Sequence, residues 1–204
     1  QAPAEEFTLE NDVMSVRFST RGGQITDVTL KDYTQYAPGE RTEPIRLFDP
    51  ATARFDLVFF VRNGLNNVRV NTMDYTFEAE AVTTTPEGAQ VVVMRLPVAA
   101  DAALEYRYVI HNAGQPARDY LVDFDVRLVN LSPQMASQSS IGIEWSNTSY
   151  QNEKGFKNEN MYTTVAYRFP GEKSVEELGM SESSKSKNIS TQVNWVAFKQ
   201  QFFS

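Results

Sequence analysis

Apolar and polar residues alternate with period two through much of the first 130 positions, the pattern of strands with one buried and one wet face. Met14, Val16 and Phe18 share one side of a run, and Ser15, Arg17 and Ser19 share the other. Phe55, Leu57, Phe59 and Val61 repeat the pattern, as do Leu104, Tyr106, Tyr108 and Ile110 opposite Glu105, Arg107, Val109 and His111. The longest case runs from Tyr120 through Val122, Phe124, Val126 and Leu128, with Asp123, Asp125 and Arg127 opposite, and predicts a long antiparallel strand. Turn signals separate these runs: Arg21-Gly22-Gly23, Arg62-Asn63-Gly64, Thr85-Pro86-Glu87-Gly88 and Asn112 to Pro116. Many antiparallel strands with short polar turns, and hardly any helical period before residue 170, predict a β-sandwich.

After Pro170 the composition changes. Glu172 to Met180 fits a short helix, with Ser174 as N-cap and Glu177 at the reciprocal capping-box position. Ser181 to Ser190 is serine-rich and predicts an exposed loop. Trp195 to Phe203 predicts a helix: at about 100° per residue Trp195, Phe198 and Phe202 cluster on one side, with Val196 and Phe203 on the flank. Lys199 falls inside that apolar arc. Such a lysine lays its stem on apolar surface and lifts its ammonium out, both over a core edge and at a membrane interface. Two readings stay open, a terminal helix lidding the core or a helix whose broad apolar face also meets a membrane.

Charge and residue counts then remove whole classes of chemistry. Twenty-six acidic residues against 19 Lys plus Arg leave a net charge of −7 over 204 residues, which argues against a nucleic-acid partner. Tyr106-Arg107-Tyr108 interleaves a cation with aromatics, but it is one isolated triplet. There is no cysteine, so a disulfide scaffold, a thiolate zinc site and a cysteine nucleophile are excluded. His111 is the only histidine, so a Ser-His-Asp triad or a multi-histidine metal site fails on count. No cofactor is expected, although oxygen-ligated calcium is not excluded by these counts. Asp123 and Asp125 lie on one strand face about 7 Å apart; carboxylates so placed can serve glycoside hydrolysis, and they are equally what a solvated face looks like. The longest apolar run, Leu57 to Val61, is far shorter than the 18 or more residues of a membrane span.

Two segments carry a family resemblance. Phe18-Ser19-Thr20-Arg21-Gly22-Gly23-Gln24-Ile25, followed by Val28, Leu30, Lys31 and Tyr33, resembles a Thr-Arg-Gly-Gly hairpin near the start of the periplasmic domain of the YidC/Oxa-type membrane protein insertases of Gram-negative bacteria. Trp195-Val196-Ala197-Phe198-Lys199-Gln200-Gln201-Phe202-Phe203 is similar to that family's Trp-Val-Ala-x-x-Gln-Gln-aromatic-Phe segment, and Tyr167, Pro170, Glu172 and Lys173 fit a Tyr-x-x-Pro-x-Glu-Lys stretch before it. Residues 35 to 160 resemble the family in strand pattern and length alone.

The resemblance implies a mainly β fold, a twisted super-β-sandwich of antiparallel strands like that of galactose mutarotases, with a short helical C-terminal part. The expected division is 1–170 as the sandwich and 171–204 as a helical extension. It further implies a non-enzymatic piece of a longer inner-membrane protein, placed at the periplasmic face, whose parent has a transmembrane helix before Gln1 and several after Ser204. The implied partners are Sec translocon accessory subunits, nascent membrane proteins and, near the C-terminus, the membrane interface. On this reading Trp195, Phe198, Lys199, Phe202 and Phe203 form a membrane- or partner-facing helix, and Arg21, Gly22 and Gly23 a structural turn. The competing readings are a carbohydrate-binding or mutarotase-like protein of the same sandwich class, and a surface adhesion sandwich.

Overall fold

A computed structural model describes residues 3–36, 43–112, 114, 118–133, 135, 140–179 and 184–203. The expected Asn112 to Pro116 turn and the start of the serine-rich segment, 180–183, lie largely outside those residues. The chain is mainly β, in several antiparallel sheets with one short helix, and forms two compact units: Gln1–Thr34 with Thr42–Tyr150, and Gln35–Arg41 with Gln151–Ser204.

The first unit opens with a sheet of β1 (Glu6–Glu10), β2 (Met14–Ser19), β3 (Gln24–Thr34) and β4 (Pro44–Arg46), in that spatial order. β5 (Arg54–Asn63) and β6 (Asn66–Asn71) form a hairpin, followed by a single 3-10 turn at Thr72–Asp74. A second sheet holds β7 (Glu78–Ala79), β8 (Thr83–Thr84), β9 (Gln90–Ala99), β10 (Ala102–Ile110) and β11 (Val122–Val129), with β11 at one edge beside β10. β12 (Gly142–Ser146) returns to pair with β5 and completes a third sheet, ordered β12-β5-β6.

Period two placed the core residues of these strands. Met14, Val16 and Phe18 of β2 are buried, and so are Leu104, Tyr106, Tyr108 and Ile110 of β10 with Val92, Met94 and Leu96 opposite them on β9. The rings of Phe18 and Tyr108 meet edge to face at 5.1 Å between the first and second sheets, and Phe55 meets Phe124 at 5.3 Å between the third and second. Each such aromatic pair contributes on the order of 1 kcal/mol beyond the area it buries. The expected strand from Tyr120 begins at Val122 instead; Tyr120 sits in the preceding turn, held by its hydroxyl donating to Asp32 Oδ2 at 3.3 Å.

The second unit contains α1 (Phe156–Tyr162) and a three-stranded sheet of β13 (Thr164–Arg168), β14 (Glu176–Glu177) and β15 (Trp195–Lys199), ordered β14-β13-β15. The carboxylate of buried Glu159 on α1 accepts the backbone N–H groups of Asn152 and Glu153 at 2.9 and 3.3 Å, fastening the chain that leads into the helix.

Two helical expectations are overturned here. Trp195 to Phe203 is not a helix: Trp195–Lys199 is a strand paired antiparallel with β13, and a turn follows in which Gln200 N–H donates to Phe203 O at 2.7 Å. Nor does Glu172 to Met180 form a helix; Glu176 and Glu177 are extended against Tyr167 and Ala166 of β13. Ser174 and Glu177 have capping-box spacing, but the backbone between them finds its partners on a neighbouring strand, and cross-strand pairing outweighs a local cap worth about 1 kcal/mol. The described residues after 170 are therefore not a helical extension, and the second unit also takes in Gln35–Arg41 and Gln151 onward, ahead of the change in composition.

Candidate functional site

Thr20-Arg21-Gly22-Gly23 joins β2 to β3, and both glycines adopt positive φ, 72° and 63°. Close approach compounds the backbone requirement. A Cβ on Gly22 would collide with the Met73 sulfur, and one on Gly23 would lie 3.0 Å from the Tyr106 ring and 3.1 Å from Phe77. The turn is bonded to the segment at 72–77: Arg21 Nε donates to Met73 O at 2.7 Å, Gly22 N–H to Tyr75 O at 2.9 Å, and Phe77 N–H to Thr20 O at 2.8 Å.

That segment is fixed in turn by Asp56, which is wholly buried. Its carboxylate accepts from Asn71 Nδ2 at 2.8 Å, Arg54 Nη2 at 2.9 Å, and Thr72 Oγ1 and Met73 N–H at 3.2 Å each. The Thr72 hydroxyl also accepts from Leu57 N–H at 2.9 Å and from the Tyr106 hydroxyl at 3.2 Å, so all its bonding capacity is used. Burial by itself pushes the Asp56 carboxyl up; the bonds from Asn71, Met73, Arg54 and Thr72 outweigh it and hold the pKa below the usual 3.8. Arg21, Gly22 and Gly23 thus build a junction among three sheets, and the junction's charge is spent on bonds within the protein. Period two reads Asp56 as a wet-face residue, because nothing local announces that residues 71–73 cover it.

The other constellation is β15 and the turn after it. A strand sends neighbours to opposite faces, so Trp195, Ala197 and Lys199 share one face and Val196 and Phe198 the other. Trp195 and Phe198 therefore form no common seam. Lys199 forms a partly exposed ion pair, its ammonium 2.6 Å from Glu177 Oε1 across the sheet. Tyr167, buried on the Phe198 face, accepts a hydrogen bond from Lys187, and that bond raises the Lys187 pKa. Exposed apolar surface remains: Phe202 is 65% exposed, Val196 53% and Trp195 36%, while Phe203 is half-buried.

The remaining candidates do not assemble into a reactive site. His111 Nε2 lies 2.7 Å from Asp123 Oδ2, and Asp125 pairs with Arg107 at 3.5 Å, so the two carboxylates have separate partners. A depression of about 470 Å³ over the first sheet is lined by Glu6, Glu10, Arg17 and Asp27 among others. Its arginine is already bound to Asp27 at 2.7 Å, and Arg46 holds the same carboxylate at 2.8 Å. Among the described residues no group of three or more His, Asp or Glu side chains is arranged to hold a metal ion.

With that geometry in view, residues 6–204 match the family described as the YidC periplasmic domain. The chain belongs to this family. Membership spans the middle of the chain as well as the two motifs at its ends, and the family is non-enzymatic and periplasmic. Among similar proteins named membrane protein insertase YidC, that of Parabacteroides distasonis is 33% identical over 201 residues, covering 97% of this chain and 28% of the relative. That of Phocaeicola vulgatus is 30% identical over 207 residues, covering 100% and 30%, and that of Azobacteroides pseudotrichonymphae 28% identical over 198 residues, covering 97% and 29%. The chain spans less than a third of the length of these relatives, and no helix among its described residues is long and apolar enough to cross a membrane. No solved structure matches it. The carbohydrate-active and adhesion readings lose their support with this family match.

Proposed function

We propose that the chain is the periplasmic interaction and orientation module of an inner-membrane protein insertase, acting through its surfaces in membrane protein insertion and folding. Its first unit is read as a twisted super-β-sandwich of the galactose-mutarotase type, supported by the ring contacts of Phe18 with Tyr108 and of Phe55 with Phe124 between sheets. Sec translocon accessory subunits and nascent membrane proteins are the macromolecular partners proposed for it.

The observation that carries the reading is the exposure of Phe202, Val196 and Trp195 at the C-terminal end of a chain whose family members are membrane protein insertases. Exposed aromatic and aliphatic side chains favour a membrane interface, where an indole ring sits at headgroup level. The contact is made by a strand and the turn beyond it, with Trp195 on one face and Val196 on the other. Lys199 pairs with Glu177 on the Trp195 face and is partly exposed there, a cation within the proposed membrane- or partner-facing surface.

A Trp145→Phe variant leaves Trp195 as the sole tryptophan. Titrating it with vesicles of anionic phospholipid should shift its emission to the blue, and Phe202→Ala in that background should weaken the shift severalfold. An emission spectrum that lipid leaves unchanged would contradict membrane contact at β15.

A further inference from the structure

We infer that the free edge of β11 pairs with β11 of a second copy of the chain, antiparallel and centred on Val126. β11 is the outermost strand of its sheet and pairs with β10 along its whole length, from Ile110 opposite Val122 to Ala103 opposite Val129, without a register shift. Among the described residues no strand lies on its other side. Edges are usually blunted by proline, lysine, a bulge or shortness. The eight residues Val122-Asp123-Phe124-Asp125-Val126-Arg127-Leu128-Val129 have none of these, and their three charges, Asp123, Asp125 and Arg127, include both signs and so admit a complementary partner.

The exposed side chains are what such pairing would use. Val126 and Leu128 are 40% and 42% exposed on the apolar face, and Asp123, Asp125 and Arg127 are exposed on the other. Two copies continuing one sheet across a twofold axis pair residues that lie on the same face, so partner numbers must sum to an even value. A sum of 250 sets Asp125 against its own copy, 254 sets Arg127 against its own copy, and 248 sets Asp123 against Asp125 twice. The sum of 252 avoids every like-charge pair. It places Asp125 opposite Arg127 of the partner subunit, twice by symmetry, Phe124 opposite the partner's Leu128, and Val126 opposite the partner's Val126.

The charge row extends inward, because Asp125 already lies 3.5 Å from Arg107 on β10. Opposite charges and apolar pairs facing across strands each stabilise the added sheet pairing, while like charges destabilise it. Each copy carries −7 overall, a repulsion screened beyond about 8 Å at physiological salt, so the dimer is favoured there over low ionic strength.

Sedimentation velocity of the 204-residue chain over a concentration series at physiological salt tests this. Wild type should pass from monomer to dimer, Val126→Lys and Asp125→Arg should stay monomeric, and Asp125→Arg with Arg127→Asp should recover the dimer, circular dichroism showing each variant folded. Register is tested independently in the cysteine-free chain. Under mild oxidation Val126→Cys should cross-link to itself, whereas Phe124→Cys and Leu128→Cys should cross-link only when mixed. A wild type that stays monomeric at every concentration overturns the inference, as does a dimer indifferent to these substitutions or a Val126→Cys chain that does not cross-link.

Discussion

The Tyr108 hydroxyl donates to the carbonyl oxygen of Gly23 at 2.7 Å, tying the β10 strand to a turn 85 residues earlier in the chain. Burial raises the Tyr108 pKa well above its ordinary value, so the phenol is a donor at neutral pH. Tyr108→Phe keeps the ring packed on Phe18 and leaves a buried carbonyl unmet. The expected cost is about 1–2 kcal/mol, measured by urea unfolding. A variant as stable as wild type would mean that the bond contributes nothing.

Gly23→Ala is expected to destabilise more than an ordinary glycine replacement. Positive φ alone costs an alanine roughly 1 kcal/mol, and forcing a methyl toward Tyr106 and Phe77 adds about 1–3 kcal/mol. Thermal unfolding should show a drop of several degrees. The near-ultraviolet dichroism of the aromatic core should change with it, since both neighbours are core rings.

Asp56 makes stability acid-sensitive. A carboxyl whose folded pKa lies below its unfolded value contributes stability that is complete above about pH 4 and is lost as pH falls through the folded pKa. Asp56→Asn retains the shape but sets an amide NH2 among donors that the carboxylate now accepts from, and should cost about 3 kcal/mol at neutral pH. The variant's stability should then be flatter than wild type's below pH 4. Parallel stability curves for the two proteins would remove Asp56 as the cause.

Strand geometry separates the C-terminal aromatics. Phe198 is half-buried opposite Val165, so Phe198→Ala should cost about 2–3 kcal/mol, whereas Phe202→Ala removes an exposed ring and should stay within about 0.5 kcal/mol. Equal losses at both positions in chemical denaturation would argue for the single seam of a helix.

Strands that bury one face were legible because a period of two survives wherever a sheet has a wet side. Met14-Val16-Phe18 and Leu104-Tyr106-Tyr108-Ile110 are such cases. Trp195 to Phe203 was not legible, for its apolar residues sit at spacings of one, three, seven and eight, which a helix wheel accepts. A five-residue strand with apolar residues on both faces, followed by a turn, produces the same spacings. Asp56 was hidden for a different reason. It stands among alternating partners as a solvent residue would, and a hairpin and a 3-10 turn some 15 residues later cover it and supply three of its four donors, Arg54 being the fourth. The Thr-Arg-Gly-Gly turn was visible as a motif, but the ring of Tyr106 that forbids a side chain there comes from a distant strand.

On the reading proposed above, this domain works by contact, through the apolar surface at its C-terminal strand. Site-specific photocross-linking in the full-length insertase tests it most directly, with a benzophenone side chain replacing Val196 or Phe202 and, as control, Arg69 on the β6 strand. Cross-links to lipid, to a translocon accessory subunit or to a nascent membrane protein should arise at 196 and 202 and be absent or far weaker at 69. Equal labelling at all three positions, or none at 196 and 202, would contradict the claim.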